Sequence, residues 1–302
     1  MNAPLVSIIM NCYNSDRYLK EAIDSVYAQT YQNWEIVFWD NASTDLSGKI
    51  ARSYCEKVKY LQAKSTTPLG EARNLALQKA NGTYIAFLDC DDVYEPEKLQ
   101  IQVDLLESNP FAMCYGSALT IDVDGKIIKR TEVTNVSGEI FGCLLQQYEI
   151  NMQSVLVRSS ILKDSGIEFS TRLHYCPDNN LFMNIAARYP IGVIKDFIVR
   201  YRSVPNSLSN QTVHLASQEI QYTLDELIKT IPGLKDKYAT EFSQAYQKLH
   251  YYDAIASLHE GDKSAARASM KPIALKSLSY LSVYCLLLLP LSSARVLGVL
   301  GR

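Results

Sequence analysis

The sequence predicts an α/β fold in which a mixed, mostly parallel sheet is flanked by helices and followed by a C-terminal helical extension. Residues 5–115 alternate short apolar runs with stretches in which apolar residues recur every three or four positions. Such alternation is typical of buried strands joined by helices that cover the sheet. From about Val213 onward the apolar spacing is helical, which predicts the extension.

Four β–α units are predicted in order in the first part of the chain. The strands are short apolar runs at Leu5–Met10, Trp34–Trp39, Val58–Leu61 and Tyr84–Leu88. The helices carry apolar stripes, which include Leu19, Ala22, Ile23 and Val26 in the first, Ile50, Ala51 and Tyr54 in the second, Ala72 to Leu77 in the third, and Leu99, Val103 and Leu106 in the fourth. The fourth helix is expected to begin at Pro96, because a proline there removes only an N–H that has no helical partner.

After the fourth helix the pattern becomes mixed. Asp124-Gly125 predicts a hairpin turn between strands at Leu119–Val123 and Lys126–Ile128. A further strand is predicted at Ser154–Val157, a helix after Asp178, and a last strand at Ile191–Val199.

Composition narrows the function classes. The formal net charge of the 302 residues is -2, which gives no general attraction to nucleic acid. The seven cysteines, including Cys55, are scattered and never form a C-x-x-C pair, so we expect neither a disulfide framework nor a zinc site, and we infer a reducing compartment. The first residues lack a basic region and a long apolar run, so we expect no signal peptide and a cytoplasmic protein.

Polar clusters follow three of the predicted strands. They are Asn11–Asn14 after the first strand, Asp40–Asp45 after the second and Asp89–Asp92 after the fourth. Open α/β sheets bind ligands at the carboxyl ends of their strands, so these clusters are candidate site residues.

The third cluster places three carboxylates within four residues directly after an apolar strand. Like charges crowded in this way repel one another unless a cation lies among them, and carboxylate oxygens suit Mg²⁺ or Mn²⁺. The alternative is a solvated acidic stretch before the helix at Pro96, where negative charge is also favourable.

Together the motifs resemble those of family 2 glycosyltransferases. The matching segments, in the family's order, are Val6–Asn14, Asp40–Asp45, Gly70–Asn74, Phe87–Asp92, Pro177–Asn179, Tyr201–Arg202 and Asn206–Ser209. They cover about two-thirds of the chain. The resemblance implies a Rossmann-like GT-A fold and inverting transfer of a sugar from a nucleotide diphosphate to a hydroxyl of a glycan or lipid-linked acceptor, as in bacterial surface polysaccharide synthesis.

The resemblance also implies roles for individual residues. Asp178 matches the catalytic base, and Asp91, with Asp89, matches the ligands of Mn²⁺ or Mg²⁺. The positions implied to surround the donor are Asn11, Tyr13, Asp40, Asn41, Arg73, Asp89 and Cys90. The catalytic domain would span residues 1–212, with its nucleotide half at about 1–115 and its acceptor half at about 116–212, and residues 213–302 would form the extension.

Two positions depart from the family pattern. Pro177 precedes Asp178 where an acidic residue is common, and Asp178 alone is equally consistent with a helix N-cap. Asn41 replaces a second aspartate that commonly contacts the pyrimidine, although its amide oxygen can accept from a ring N–H. We therefore favour UDP- or dTDP-sugars and keep GDP-sugars as an alternative.

Residues 277–294 lack charge, and basic residues including Arg302 border the segment. Serines and Pro290 interrupt it, so it predicts either an interfacial helix pair on a membrane surface or a buried helix that closes the extension. Two other functions are alternatives for the whole chain. A non-catalytic nucleotide- or sugar-binding protein shares the fold, and a haloacid-dehalogenase-type phosphatase shares the acidic strand end but normally carries it at the start of the chain.

Overall fold

The computed structural model describes residues 3–54, 56–204 and 207–300. Cys55, Asn206 and Arg302, which the sequence pattern singled out, lie outside these residues. Nine strands of the described part form one sheet: β1 Val6–Cys12, β2 Trp34–Asp40, β3 Val58–Gln62, β4 Tyr84–Phe87, β5 Val93–Tyr94, β6 Met113–Ile121, β7 Ile127–Thr131, β8 Leu156–Arg158 and β9 Ile191–Arg202.

The helices of the described part number fourteen. They are α1 Asp16–Tyr27, α2 Ser47–Arg52, α3 Leu69–Leu77, α4 Lys98–Ser108, α5 Phe141–Gln146, α6 Ser159–Ser165, α7 Pro177–Ala186, α8 Leu208–Thr212, α9 Ala216–Thr230, α10 Leu234–Lys237, α11 Ala239–His259, α12 Lys263–Met270, α13 Leu278–Leu288 and α14 Ser293–Leu300.

The strands lie in the order β3-β2-β1-β4-β8-β6-β9-β5, and β7 pairs with β6. The strands from β3 to β4 are parallel, β8 runs antiparallel to both of its neighbours, and β6 and β9 are again parallel. Cys12 lies opposite Asp40 in the β1–β2 register, so the carboxyl ends of these strands are level. This alignment brings the loops that follow them together.

The sheet is covered as the apolar spacing predicts. The stripe on α1 is fully buried, and it packs with the apolar residues of β1, β2 and β4 in one core. The β6–β7 hairpin is also confirmed, although β6 begins at Met113 rather than at Leu119. All but one residue of β6 are buried, so the strand lacks the polar alternation that would have marked its start.

Several short elements were not predicted. They are β5, α5 and α6, each seven residues or fewer. Ser154 was placed in a strand, but it ends the 3₁₀ turn Met152–Ser154, because the side chain of Asn151 accepts the Gln153 N–H and caps that turn.

The chain divides into two compact units. The first comprises Met1–Leu144, Tyr148–Arg172 and Pro177–Val204, and the second comprises Leu145–Gln147, Leu173–Cys176 and Pro205–Arg302. Helices α8 to α14 belong to the second, so the helical extension contains more helices than the hairpin that the sequence suggested. It has its own core, which includes Ala254, Leu258, Met270 and Leu287. Within the described ranges, no helix combines the length and apolar character that a membrane crossing requires.

A buried lysine lies beneath the sheet of the first unit. The Lys98 Nζ donates to Gln102 Oε1 at 2.8 Å and stands 4.0 Å from the centre of the Tyr94 ring. Burial lowers the pKa of Lys98 to about 7. Gln102 in turn donates to the Ser154 carbonyl at 2.7 Å, so this pair supports the 3₁₀ turn.

Replacing Lys98 should change how stability depends on pH. An unfolded lysine titrates near pH ~10.4, so between about pH 7 and pH 10 the unfolded chain binds the extra proton and wild-type stability rises with pH. Lys98→Met removes that contribution, and its stability relative to wild type should fall by about 1 kcal/mol per pH unit from pH 7 to 9.

Urea unfolding at pH 7, 8 and 9 measures this change. The exposed Lys163 on α6 provides the control, because Lys163→Met should leave a constant difference from wild type. A constant difference for Lys98→Met as well would show that Lys98 is charged in the folded protein over this range.

Candidate active site

The candidate site lies at the carboxyl ends of β1, β2 and β4. Asp40 is the last residue of β2, and Asp89 follows the end of β4 by two residues. Leu88 donates its N–H to the Ile9 carbonyl at 3.0 Å, and Asn41 donates its N–H to the Cys12 carbonyl at 2.8 Å. Main-chain pairing therefore continues past the strand ends and fixes where the polar residues begin.

The loops after β1 and β2 are bonded to each other. The side-chain oxygen of Asn14, Oδ1, accepts the Thr44 N–H at 2.8 Å. The main-chain N–H of Asn14 donates to Ser43 Oγ at 3.0 Å. Asn14 and Ala42 have positive φ angles of 47° and 64°, which is uncommon for residues other than glycine. The ring of Tyr13 is left 53% exposed, so it is open to stacking by a ligand.

Asp40 and Asn41 are buried and already bonded within the protein. Asp40 accepts from the Ser43 N–H at 2.7 Å and from the Tyr60 hydroxyl. Burial and this hydrogen bond to Asp40 raise the pKa of Tyr60 to about 12. The Asn41 amide donates to the Thr67 carbonyl at 2.8 Å and accepts the Thr67 N–H at 3.1 Å. A direct contact of the Asn41 amide with a base would compete with these bonds to Thr67.

Asn11 contributes an unpaired donor. Its Nδ2 atom is buried and has no hydrogen-bond partner among the described residues. Buried amide groups are nearly always bonded, so this donor is suited to a ligand oxygen. Cys90, which the resemblance placed near the donor, is buried and directs its Sγ to the Asn11 carbonyl at 3.4 Å. Contact with Cys12 and burial raise the pKa of Cys90, so its thiol stays neutral.

Asp89 is held from two sides. Gln153 accepts the Asp89 N–H at 2.9 Å and donates to Asp89 Oδ2 at 2.7 Å, so one amide fixes both the main chain and the carboxylate. Arg73 Nη2 approaches the other oxygen, Oδ1, at 3.4 Å. Arg73 and Gln153 are both buried, whereas the Asp89 side chain keeps 37% of its exposure and is accessible to a ligand.

The three aspartates of the acidic cluster do not share one environment. Asp92 is buried and accepts the Arg202 N–H at 2.7 Å, so it ties the cluster to β9. Burial and the neighbouring acids raise the pKa of Asp92 well above its usual range. Two carboxylates remain, those of Asp89 and Asp91.

Asp91 is half-buried, and the charge of Asp89 acts on its carboxylate. Burial, followed by the Asp89 charge, raises the pKa of Asp91 to about 6. Within the described ranges no three His, Cys, Asp or Glu side chains are arranged to hold a metal by themselves. Mg²⁺ and Mn²⁺ are commonly bound by one or two carboxylates together with substrate phosphates, and the donor set of Asp89 and Asp91 fits that pattern.

Asp178 lies in the first turn of α7, which begins at Pro177, so it is a helical residue and not the N-cap. Burial raises the pKa of Asp178, while the positive charge of Arg73 opposes that shift and the negative charge of Asp89 adds to it. Asp178 therefore lies within electrostatic range of both groups. The fold brings together three of the predicted residues from three elements that are distant in sequence.

The segment before Asp178 is held by the Gly70–Asn74 motif. The Asn74 amide donates to the Phe169 carbonyl at 2.8 Å and accepts the Phe169 N–H at 3.0 Å. A Cβ atom on Gly70 would stand 2.7 Å from the Ser170 carbonyl oxygen, so only glycine fits this approach. The guanidinium of Arg73 also lies over the Phe169 ring at 5.3 Å. One turn of α3 thus positions both Arg73 and the 169–170 segment.

Two residues of the site were given no role by the sequence. Gln153 belongs to no recognised motif, and in the sequence it is only a polar residue next to an apolar run. Arg202 was quoted within a motif, and it proves to be a buried hub: it donates to the Asp91 carbonyl at 2.9 Å and pairs with Glu21 at 2.6 Å.

Known proteins resemble this chain in sequence and in fold. The family model described as Glycosyl transferase family 2 matches residues 7–160, which is just over half of the chain. An "Uncharacterized glycosyltransferase" of Rickettsia felis is 33% identical over 65% of this chain, and the chain spans about a third of that protein's length. The "UDP-Glc:alpha-D-GlcNAc-diphosphoundecaprenol beta-1,3-glucosyltransferase WfgD" of Escherichia coli is 30% identical over 60% of this chain and 73% of its own.

Among solved structures, the mannosyltransferase PcManGT of Pyrobaculum calidifontis, in complex with GDP-Man and Mn²⁺, has a TM-score of 0.61. The match covers 93% of this chain and 79% of that one at 19% identity. It confirms the GT-A fold class that the motifs implied. The family match, over more than half of the chain, shows that this chain belongs to the family 2 glycosyltransferases.

Proposed function

We propose that this enzyme transfers one sugar from a nucleotide diphosphate to a hydroxyl of a glycan or lipid-linked acceptor, with inversion of the anomeric carbon. The observation that carries the proposal is the arrangement of Asp178, Arg73 and Asp89. The proposed base Asp178, the buried guanidinium of Arg73 and the proposed metal ligand Asp89 lie within electrostatic range of one another. A nucleotide-binding protein without activity would have no need of the half-buried carboxylate at Asp178.

Asp91 and Asp89 would hold the divalent ion, Mn²⁺ or Mg²⁺. When bound, such an ion supplies a Lewis acid that neutralises the diphosphate as negative charge develops on it. The repulsion that raises the pKa of Asp91 supports this assignment, because a cation between the two carboxylates would relieve it. Gln153 and Arg73 keep the Asp89 carboxylate in one orientation before any ligand arrives.

Asp178 would take the proton from the attacking hydroxyl. A single carboxylate is enough for a direct displacement, in which the acceptor attacks opposite the leaving diphosphate and the configuration inverts. Burial disfavours the charged form of Asp178, and this makes it a stronger base than a solvated aspartate. The Arg73 charge opposes this shift and favours the charged, proton-accepting form of Asp178.

The donor pocket would be formed by the loops after β1 and β2. The exposed Tyr13 ring would stack on the base, and the unpaired Asn11 Nδ2 would donate to a ligand oxygen. Asn41 would act by holding Thr67 and its loop, since its amide is bonded there. A UDP-sugar donor is supported by the Escherichia coli relative, whose name gives UDP-Glc as its donor. GDP-sugars are the alternative, because the similar mannosyltransferase structure from Pyrobaculum calidifontis contains GDP-Man.

We further propose that residues 1–212 form the catalytic domain, with nucleotide and acceptor halves that meet at about residue 115. Residues 213–302 would form an extension that keeps the enzyme at the cytoplasmic face of the membrane. A lipid-linked acceptor, of the kind named for the Escherichia coli relative, would be reached there. Surface polysaccharide synthesis is the process that this combination fits.

Asp178→Asn should abolish transfer while leaving donor binding intact. The amide keeps the shape of the side chain but cannot accept a proton, so we expect the turnover number to fall by about a hundredfold or more. Asp164→Asn, at an exposed position in α6, is the matched control and should have no effect.

Turnover by the wild-type enzyme should also fall as the pH drops through the raised pKa of Asp178. Single-turnover assays with a UDP-sugar and a hydroxyl acceptor measure both effects. Transfer by Asp178→Asn at the wild-type rate would remove Asp178 as the base.

Asp91→Asn should uncouple nucleotide binding from metal. In the wild type, Mn²⁺ should tighten UDP binding, because Asp89 and Asp91 would hold the ion and its charge would attract the diphosphate. The variant loses one charged ligand and should lose most of that Mn²⁺ effect, with UDP affinity in EDTA unchanged. Isothermal titration calorimetry with and without Mn²⁺ checks this. An undiminished Mn²⁺ effect in the variant would place the ion elsewhere.

Gln153 offers a pair of variants that separate its two bonds to Asp89. Gln153→Leu removes both and should destabilise the protein by about 1–3 kcal/mol at every pH, because the buried Asp89 N–H loses its partner. Gln153→Glu keeps the acceptor but places a second carboxylate against Asp89.

The Gln153→Glu penalty should therefore be largest at pH 8 and shrink towards pH 5, where one acid of the pair takes up a proton. Thermal unfolding at the two pH values gives the comparison. Equal penalties for Gln153→Glu at both pH values would contradict the contact with Asp89 Oδ2.

A further inference from the structure

The last helices of the extension display apolar side chains to solvent on one side. Leu278, Ser282, Cys285 and Leu289 of the α13 region follow one another at steps of four, three and four residues, and all are exposed. We call these four residues the tail stripe. The opposite side of α13 contributes Val283 and Leu287 to the core of the second unit. The helix therefore has a packed side and an opposite side on which Ser282 lies between apolar residues, and the described residues leave this opposite side uncovered.

The exposure in this region is large for leucine. Leu275 is 89% exposed, Leu278 83% and Leu289 49%. Single exposed leucines are common on protein surfaces, but several exposed leucines in one short segment mark an interaction site. Val299 on α14 is also exposed.

The charged residues from position 263 onward all have one sign. Residues 263–302 contain six basic side chains and no acidic one: Lys263, Arg267, Lys271, Lys276, Arg295 and Arg302. The exposed Lys271 and Lys276 precede the stripe, and the exposed Arg295 follows it. This is a local excess of positive charge in a chain whose formal net charge is -2.

The helix that carries the stripe is anchored from within its own unit. Lys263 Nζ donates to the Leu291 carbonyl at 3.0 Å and also contacts the Leu289 carbonyl, while Arg267 Nη2 donates to the Leu287 carbonyl at 3.4 Å. These cations satisfy carbonyls at the C-terminal end of α13, where helix geometry leaves them unpaired. Leu278, Ser282 and Cys285 are thus presented by a formed helix, and Leu289 follows directly after its end.

From these observations we infer that the tail stripe, with Leu275 and the flanking basic residues, docks on the surface of an anionic lipid bilayer. The leucines enter the boundary between headgroups and acyl chains, and Lys271, Lys276 and Arg295 contact lipid phosphates. The absence of acidic residues favours an anionic lipid over a protein surface, because protein interfaces usually carry charges of both signs. This inference deepens the proposed membrane location of the enzyme and names the side chains and the lipid class.

Vesicle co-sedimentation of the full chain tests the inference. The wild type should bind vesicles of phosphatidylcholine that contain about 30% phosphatidylglycerol, and high salt should release the protein from them. Leu278→Ser with Leu289→Ser should weaken binding by about tenfold per leucine that enters the interface. Lys271→Gln with Lys276→Gln should weaken it by about fivefold per residue. Val136→Ser, at an aliphatic residue of the first unit that is 76% exposed, is the matched control and should bind as the wild type does.

Three results would overturn the inference: equal binding of all variants, equal binding to pure phosphatidylcholine, or a concentration-dependent dimer that Leu278→Ser with Leu289→Ser dissolves. The last would assign the tail stripe to self-association, which light scattering detects. Asp178→Asn should sediment with vesicles as the wild type does. Loss of transfer without loss of docking, or the reverse, therefore separates a failure of the proposed reaction from a failure of this inference.

Discussion

The fixed orientation of the Asp89 carboxylate is the interaction on which the site depends. Gln153 holds one oxygen and the main chain, and Arg73 approaches the other oxygen. Gln153 comes from the turn before β8 and Arg73 from α3, so residues distant in sequence converge on one acid. A carboxylate oriented in advance loses little entropy when it binds a ligand, which is how a folded scaffold supports catalysis.

This arrangement carries a cost in stability that other contacts offset. Asp91, Asp92 and Asp178 all have raised pKa values because burial disfavours their charged forms. Arg202 bonds to the main chain of Asp91 and to the carboxylate of Asp92, and so it holds the acidic turn against β9. Strained and repulsive groups of this kind are typical of functional sites, where tight packing elsewhere maintains them.

Much of the fold was accessible from the sequence because its signals are local. The β–α units of the first half carry clear apolar periodicity, and the α1 stripe is buried as predicted. The start of β6 was missed because a strand buried on both faces has no alternation to mark it. The short α5 and α6 were missed because six or seven residues contain too few turns to define a stripe.

For the site, the motifs identified which elements carry polar residues, but they could not specify how side chains are oriented. Asp91 and Asp92 are neighbours in sequence, yet Asp92 bonds to Arg202 while Asp91 responds to the Asp89 charge. Gln153 lies 64 residues from Asp89 and matches no motif, so only the folded chain reveals it. The bonds from Asn41 to Thr67 are likewise a property of two loops that meet in space.

The central claim is that Asp89 and Asp91 bind a divalent ion together with a nucleoside diphosphate. Electron paramagnetic resonance of Mn²⁺ tests it directly, because the signal of the free ion falls when the ion is bound. Protein and UDP together should remove more of the free Mn²⁺ signal than the sum of their separate effects, and the spectrum of the bound ion should show couplings to phosphorus. A free Mn²⁺ signal that the protein leaves unchanged in the presence of UDP and of GDP would contradict it.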